Sequence, residues 1–175
     1  MGYINKEIFQ GIVSPIVKAI PYFNPLIQFR FFFESSVEGW IASSPATVAH
    51  NANGYLETTV PAGANRGPVA SPAQYTTGVQ EKVTVVMKRI SGDASPTVRI
   101  RSTSTASYTT ISKTSNLTDS GGNNGFVANL TDEYDTYEFT WILNAGSGTS
   151  PYVQLVNTLE TVFAIDSFTI TRMSD

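Results

Sequence analysis

The side chains best suited to catalysis are scarce in this sequence. Its 175 residues include one histidine and no cysteine, which excludes a thiolate nucleophile, a disulfide framework and a multi-histidine zinc site. The histidine, His50, stands in the turn-rich stretch VAHNANGY, where an exposed loop position is a simpler interpretation than a general base. No Gly-x-Ser-x-Gly elbow, phosphate-binding loop or dinucleotide fingerprint occurs. The sequence therefore predicts a protein that is not an enzyme.

Polar character comes from hydroxyl groups rather than from charges. Only 14% of the residues are charged, whereas 18 serines and 21 threonines supply 39 small hydroxyls. The net charge of −3 lacks the basic field that a phosphate backbone requires, so nucleic acid is not an expected partner. This composition favours one β-rich domain with a nearly neutral exterior.

The N-terminal part, residues 1–33, is the most apolar part of the chain. Pro15, Pro21 and Pro25 divide it into pieces too short to span a bilayer, and it lacks the pattern of a secretory signal. A short helix with one apolar side is predicted before Pro21. The residues of that side are Ile8, Phe9, Ile12, Val13, Ile16 and Val17. We expect this segment to dock into another subunit or a larger assembly, with packing onto its own domain as the alternative.

Residues 34–175 show short alternating runs separated by glycine, proline, asparagine and aspartate clusters, which is typical of an all-β antiparallel sandwich. In VRIRS, Val98 and Ile100 alternate with Arg99 and Arg101, as expected for a sheet with one wet side. The predicted strands are Tyr55–Val60, Val83–Ile90, Thr97–Ser102, Tyr108–Thr114, Tyr137–Leu143, Tyr152–Val156 and Phe163–Arg172.

Two motifs at opposite ends of this region resemble the jelly-roll carbohydrate-binding modules of the galactose-binding-like type. FESSVEGW (33–40) is similar to their opening loop, and FAIDSFTITR (163–172) is similar to their last strand. The stretches YDTYEFTWIL and YVQLVN resemble their penultimate strands. The resemblance implies that the two end motifs meet in space. It also implies a structural calcium ion held by Glu34, Asp166 and backbone carbonyls, a donor set that suits calcium. A strand-edge position for Glu34 and a turn-capping role for Asp166 remain the alternatives.

Sugar recognition needs flat aromatic faces and side chains that bond hydroxyl groups in pairs. Phe139 and Trp141 lie on the apolar side of an alternating strand and are expected to pack in the core. The candidate carbohydrate-binding residues are the loop-adjacent aromatics Trp40, Tyr75 and Tyr108 and the polar residues Arg66, Gln74, Asn124 and Gln154.

An apolar N-terminal segment followed by a binding-module sandwich is similar to the architecture of bacteriophage fibres and capsid decoration proteins. The first hypothesis is therefore a structural virion protein on the virion surface. It is anchored to other assembly proteins through residues 1–33, forms a homo-oligomer, with a trimer favoured, and displays a sandwich that attaches to cell-surface carbohydrate. The alternatives are a bacterial carbohydrate-binding module, free-standing or derived from an enzyme and located outside the cell, and a structural cement protein without a ligand.

Overall fold

The computed structural model of the protein describes residues 28–71, 74–103, 107–121, 125–144, 150–156 and 159–173. These residues form two antiparallel sheets packed face to face, and no helix occurs among them. The predicted antiparallel sandwich is therefore confirmed. The predicted N-terminal helix, residues 8–17, lies outside the described residues. A search of the described ranges for a helix long and apolar enough to cross a membrane finds none.

The described ranges contain thirteen strands. In chain order they are β1 (Gln28–Phe31), β2 (Trp40–Ala42), β3 (Thr47–Asn51), β4 (Tyr55–Val60), β5 (Pro68–Ala70), β6 (Gln80–Gly92), β7 (Thr97–Ser102), β8 (Tyr108–Lys113), β9 (Leu117–Asp119), β10 (Phe126–Asn129), β11 (Asp135–Leu143), β12 (Pro151–Val156) and β13 (Thr161–Arg172). The seven-stranded sheet has the order β3-β4-β13-β6-β11-β8, with β1 paired to β13. The six-stranded sheet has the order β2-β5-β12-β7-β10-β9.

The longer strands follow the sequence prediction closely. β4 and β7 have the predicted bounds, while β6, β11, β12 and β13 extend further and β8 ends one residue earlier. The strands that the sequence did not predict are only three to five residues long. One of them, β3, contains His50, which is half-buried in a strand and not exposed in a loop. Such short strands show too little alternation to be recognised, and they form because longer neighbours supply their hydrogen-bond partners.

The core consists of alternate side chains from the inner faces of both sheets. β6 contributes Val83, Val85 and Met87, each fully buried. Phe126 of β10 stacks on Phe139 of β11 across the sandwich, with ring centroids 4.0 Å apart. The predicted packing role of Phe139 and Trp141 is confirmed, since neither is more than 1% exposed. Burial of these aromatic rings provides much of the area that holds the sheets together.

The sandwich begins before the boundary drawn from sequence. Residues 28–31 form β1, in which Phe31 pairs with Phe168 of β13. Phe33 is completely buried, and Phe31 packs edge-on against Trp40 with ring centroids 5.7 Å apart. Because their apolar run continues it, the sequence predicts that residues 28–33 belong to the N-terminal segment. They instead belong to the sandwich, where they cover one end of the core.

Two glycines with positive φ provide a matched test of the packing. Gly92 ends β6 at φ +98°, and a Cβ there would lie 2.1 Å from the Glu160 carbonyl oxygen. Gly63 has φ +73° with nothing within 4 Å of its Cβ position. Both alanine variants bear the cost of a left-handed backbone, about 1 kcal/mol, but only the first also clashes with the backbone.

We therefore expect Gly92→Ala to lower the free energy of unfolding by about 2 kcal/mol more than Gly63→Ala does. Urea denaturation of the two variants measures the difference. Equal losses would show that β6 and the Glu160 segment are not in close contact.

Candidate functional site

On the outer face of the seven-stranded sheet, basic side chains interact with neighbouring acidic or aromatic side chains. The Lys82 ammonium group lies 2.8 Å from the Glu138 carboxylate across β6 and β11. The Lys88 ammonium group lies 4.4 Å from the centre of the Tyr134 ring. Surface pairs of this kind contribute little to stability, but they leave these cations already engaged.

The outer face of the six-stranded sheet has a different character. Along β7, Val98 and Ile100 are fully buried between the sheets, so Arg99 and Arg101 point outward. The neighbouring strand β12 places Gln154 opposite Arg99 and Tyr152 opposite Arg101. An aromatic ring, an amide and two guanidinium groups are thereby brought together in the middle of this sheet.

Apolar side chains flank this polar centre. Val69 of β5 pairs with Tyr152 on one side and with Ile41 of β2 on the other. Ile41 is 55% exposed, which is unusual for an isoleucine in a strand. We call this surface the arginine–tyrosine face; its residues are Ile41, Val69, Arg99, Arg101, Val127, Tyr152 and Gln154.

Hydrogen bonds hold the polar side chains of this face in place. Arg101 donates from Nε to the Ser102 carbonyl at 3.0 Å and from Nη1 to Gln154 Oε1 at 3.5 Å. Gln154 in turn donates from Nε2 to the Asn65 carbonyl at 3.0 Å. Burial lowers the pKa of Arg101, and the positive charge of Arg99 lowers it further, although Tyr152 acts in the opposite direction. The guanidinium group is thus already ordered before any ligand arrives.

A loop after β4 forms one rim of the arginine–tyrosine face. Arg66 donates from Nε to the Ser44 carbonyl at 3.1 Å and from Nη1 to the Asn65 carbonyl at 2.9 Å. With Pro45 and residues 62–65 it lines an open hollow. Two of the predicted carbohydrate-binding residues, Arg66 and Gln154, are therefore brought together, since both bond the Asn65 carbonyl.

Two predicted ligand-binding aromatics lie in the core instead. Trp40 is 1% exposed and packs against Phe168, with ring centroids 5.1 Å apart. Tyr75 is 4% exposed and packs edge-on against Trp141. Each follows a loop in sequence, which suggested exposure, but strands from distant parts of the chain cover both. Neither ring is available to a ligand on the surface.

The remaining predicted ligand-binding residues are Tyr108, Gln74 and Asn124, and none of them is placed on the arginine–tyrosine face. Tyr108 is half-buried, stacks obliquely on Phe126, and donates its hydroxyl proton to Asp119 Oδ1 at 2.7 Å. It therefore stabilises the edge of the sandwich. Gln74 is half-buried and belongs to no strand. Asn124 lies outside the described residues.

The two end motifs meet as the resemblance implied. The Glu38 carboxylate accepts hydrogen bonds from the backbone N–H groups of Phe32 and Phe33, which folds the opening loop back on itself. Glu34 then lines an open hollow together with Asp166, which lies exposed at a bulge of β13. Phe32, Ala52, Asn53 and Gly54 complete the lining.

The donor set of this hollow fits a calcium ion in type. Its lining residues include two carboxylates, Glu34 and Asp166, and the amide residue Asn53, which are residue types that supply hard oxygen ligands. No cluster of three or more histidine, aspartate or glutamate residues suited to a metal occurs in the described ranges. A cation here would therefore depend on amide and backbone oxygens in addition to Glu34 and Asp166.

Comparisons with known proteins reveal the fold but no sequence family. No protein-family model and no curated protein matches the chain. A xylan-binding domain from Paenibacillus barcinonensis Xyn10C superposes with a TM-score of 0.57 at 16% identity, covering 84% of this chain and 94% of that one. The C-terminal family 22 carbohydrate-binding module of Clostridium thermocellum Xyn10B gives 0.60 at 19% identity, covering 87% and 97%.

A further xylan-binding domain of family 22 gives a TM-score of 0.60 at 18% identity, covering 85% of this chain and 96% of that one. The structural neighbours are thus carbohydrate-binding β-sandwich domains. At these identities the likeness establishes a shared fold.

One buried carboxyl group lies away from both surfaces. Glu81 of β6 is fully buried and faces Trp141 on one side and Arg172 on the other. Its Oε1 accepts a hydrogen bond from the Thr76 N–H at 3.0 Å and lies 3.5 Å from Arg172 Nε. Arg172 Nη2 also donates to the Thr76 hydroxyl. These contacts tie β6, β13 and the segment before β6 together.

Burial dominates the ionisation of Glu81. Desolvation raises its pKa from 4.5 to about 7, although the Thr76 N–H and Arg172 act in the opposite direction. Between these two values the folded protein holds a proton that the unfolded chain has released. This stabilising contribution is complete below about pH 4.5 and is lost as the pH rises through about 7.

We expect the free energy of unfolding to fall by roughly 3 kcal/mol from this group between about pH 4.5 and about pH 7. Glu81→Gln keeps a neutral side chain of the same shape and should remove that decline. Chemical denaturation at a series of pH values compares the variant with wild type, and Glu138→Gln serves as a surface control. Parallel wild-type and Glu81→Gln profiles would contradict the prediction.

Proposed function

We propose that the protein is a non-catalytic glycan-binding module whose ligand lies across the arginine–tyrosine face. The observation that carries this proposal is the cross-strand grouping of Tyr152, Gln154, Arg99 and Arg101 in the middle of the six-stranded sheet. The fold shared with xylan-binding modules supports it. The three solved neighbours described above favour a carbohydrate-binding module over the virion protein.

The face offers both kinds of contact that a sugar ring needs. Ile41, Val69 and Tyr152 form an apolar row, directly paired across β2, β5 and β12, against which the C–H face of a pyranose packs. Arg99 and Arg101 beside that row donate to hydroxyl oxygens, and Gln154 orients Arg101. Tyr152 is only 9% exposed, so Ile41 provides the larger part of the apolar contact.

Attachment through residues 1–33, trimer formation and a virion location stay predictions, because residues 1–27 lie outside the described part of the chain. The Phe32 and Phe33 end of that segment belongs to the sandwich. The glycan-binding proposal does not depend on any of these features. A cement protein without a ligand is the outcome that a failed binding experiment would favour.

Xylan is the first ligand to test, and the structure offers a matched pair of variants. Ile41→Ser and Tyr152→Ala remove apolar contact from the proposed site. We expect Ile41→Ser to weaken xylan binding at least about tenfold and Tyr152→Ala, which removes a smaller exposed area, about threefold, measured by affinity gel electrophoresis or calorimetry.

Ile111→Ser is the control, because Ile111 is 50% exposed on β8 of the other sheet. It should bind as wild type does, while thermal unfolding confirms that all variants are folded. Loss of binding in Ile111→Ser, or its retention in both site variants, would place the ligand elsewhere. If wild type binds no xylan, cellulose or mannan oligosaccharide and no acidic polysaccharide either, the proposed function is wrong.

The proposal extends to a structural calcium ion between the opening loop and β13. Glu34 and Asp166 would provide its carboxylate ligands, and Asn53 with nearby carbonyls would provide the remainder. When bound, the ion would join the two ends of the sandwich by neutralising two nearby carboxylates.

Excess calcium should raise the melting temperature of wild type by several degrees, because the ion binds only the folded state. Asp166→Asn should remove this response, whereas Glu133→Gln, in a separate acidic stretch, should keep it. Differential scanning calorimetry with calcium, magnesium or a chelator measures the effect. A wild-type melting temperature that is the same in calcium and in chelator would rule out the site.

A further inference from the structure

The two arginines of β7 have no anionic partner within the described residues. Ion pairs there join Lys82 to Glu138, Arg89 to Asp132 and Arg172 to Glu81, and none includes Arg99 or Arg101. Their α-carbons are two residues apart on one strand, which places them roughly 7 Å from each other. Two like charges at this spacing repel each other unless an anion lies between or above them.

The sheet itself provides no such anion. The six strands of this sheet contain a single carboxyl group, that of Asp119 on β9. In register Asp119 lies opposite Phe126, whose side chain is buried between the sheets. Its carboxylate accepts hydrogen bonds from the Tyr108 hydroxyl at 2.7 Å, the Thr110 hydroxyl and the Gly121 N–H at 2.9 Å. It is therefore turned inward and away from the arginines.

The surroundings of Arg101 also favour an anionic ligand. Burial of its guanidinium group is the largest influence on its pKa and lowers it; Tyr152 raises the pKa and the positive charge of Arg99 lowers it, each to a smaller extent. A partly desolvated cation beside a second cation gains more from an anionic ligand than a fully hydrated surface charge does. The bonds to Ser102 and Gln154 already fix its orientation, so less entropy is lost when a ligand binds.

We infer that the arginine–tyrosine face binds polysaccharides that carry carboxylate groups, that is, glycans substituted with or built from uronic acids. This inference rests on the proposed glycan-binding function and specifies its ligand class. Arg99 and Arg101 pair with uronate carboxylates through the planar guanidinium fork, which accommodates both oxygens of one carboxylate. The apolar row of Ile41, Val69 and Tyr152 contacts the sugar rings between the acidic groups.

The charge of the whole protein makes this face distinctive. The chain carries a net charge of −3, so its general field does not attract an anionic polymer. Arg66 at the rim adds a third cation to the two on β7. Binding of an acidic glycan therefore depends on contacts at this face and should weaken as salt screens them.

The experiment compares one polysaccharide in two charge states. Glucuronoxylan and the same glucuronoxylan after chemical reduction of its carboxyl groups to alcohols share a backbone and differ in charge. We expect wild type to bind the carboxylate form at least about tenfold more tightly at low salt, measured by calorimetry. This ratio should shrink as the ionic strength rises to about 0.3 M.

Variants assign the preference to the two arginines. In Arg99→Gln and Arg101→Gln the ratio of affinities should fall towards one, and Arg101→Lys should give an intermediate ratio because it keeps the charge but loses the fork. Lys82→Gln removes the same charge from the opposite sheet and should leave the ratio as in wild type. The melting temperature of each variant verifies folding.

The outcomes separate this inference from the proposed function. Equal affinity for the two forms in wild type would overturn the carboxylate preference while leaving glycan binding intact. A ratio that falls equally in Lys82→Gln and in the arginine variants would overturn the assignment to this face. Absence of binding to both forms, and to the neutral oligosaccharides tested above, would reject the glycan-binding function and the inference together.

Discussion

The alternation of side chains along β7 and β12 is the constraint on which the rest of the molecule depends. β7 must direct Val98 and Ile100 into the core, and β12 must direct Val153 and Leu155 there. Burial of these side chains holds the two sheets together. Every residue between them is then directed outward. A slip of one residue would bury Arg99 and Arg101 and expose four apolar side chains. The energetics of the core therefore fix the position of the candidate site.

The sequence predicts the alternation along each strand well, but it predicts only in part which residues the sheet brings together. The pattern VRIRS shows which side of β7 is wet, and long strands such as β6 and β11 are recognisable from their own residues. The residues that lie opposite each other on neighbouring strands cannot be recognised from the sequence, because the whole sheet sets the register. The sequence does not mark Tyr152 as a site residue, because PYVQLV consists largely of residues that also suit a fully buried strand. Only the pairing with Arg101 gives it a role.

For Trp40 and Tyr75 the sequence predicts exposure, whereas the structure buries both. Each follows a turn-rich stretch, and a local pattern cannot reveal that Phe31 of β1 packs against Trp40 or that Trp141 packs against Tyr75. The meeting of the end motifs was implied by the family resemblance. Glu38 folds the opening loop locally, but only the long-range pairing of β1 with β13 brings Glu34 near Asp166.

The pairing of β1 with β13 determines how the domain is connected to anything beyond it. Gln28 lies opposite Thr171, in antiparallel register, so the chain enters and leaves the sandwich side by side. A tether at residue 28 and a tether after residue 173 would therefore pull on the same end of the domain. Force applied between these two tethers would separate β1 from β13 by breaking their hydrogen bonds one after another, starting at Gln28 and Thr171. The arginine–tyrosine face belongs to the other sheet and would remain intact during the first steps of such loading.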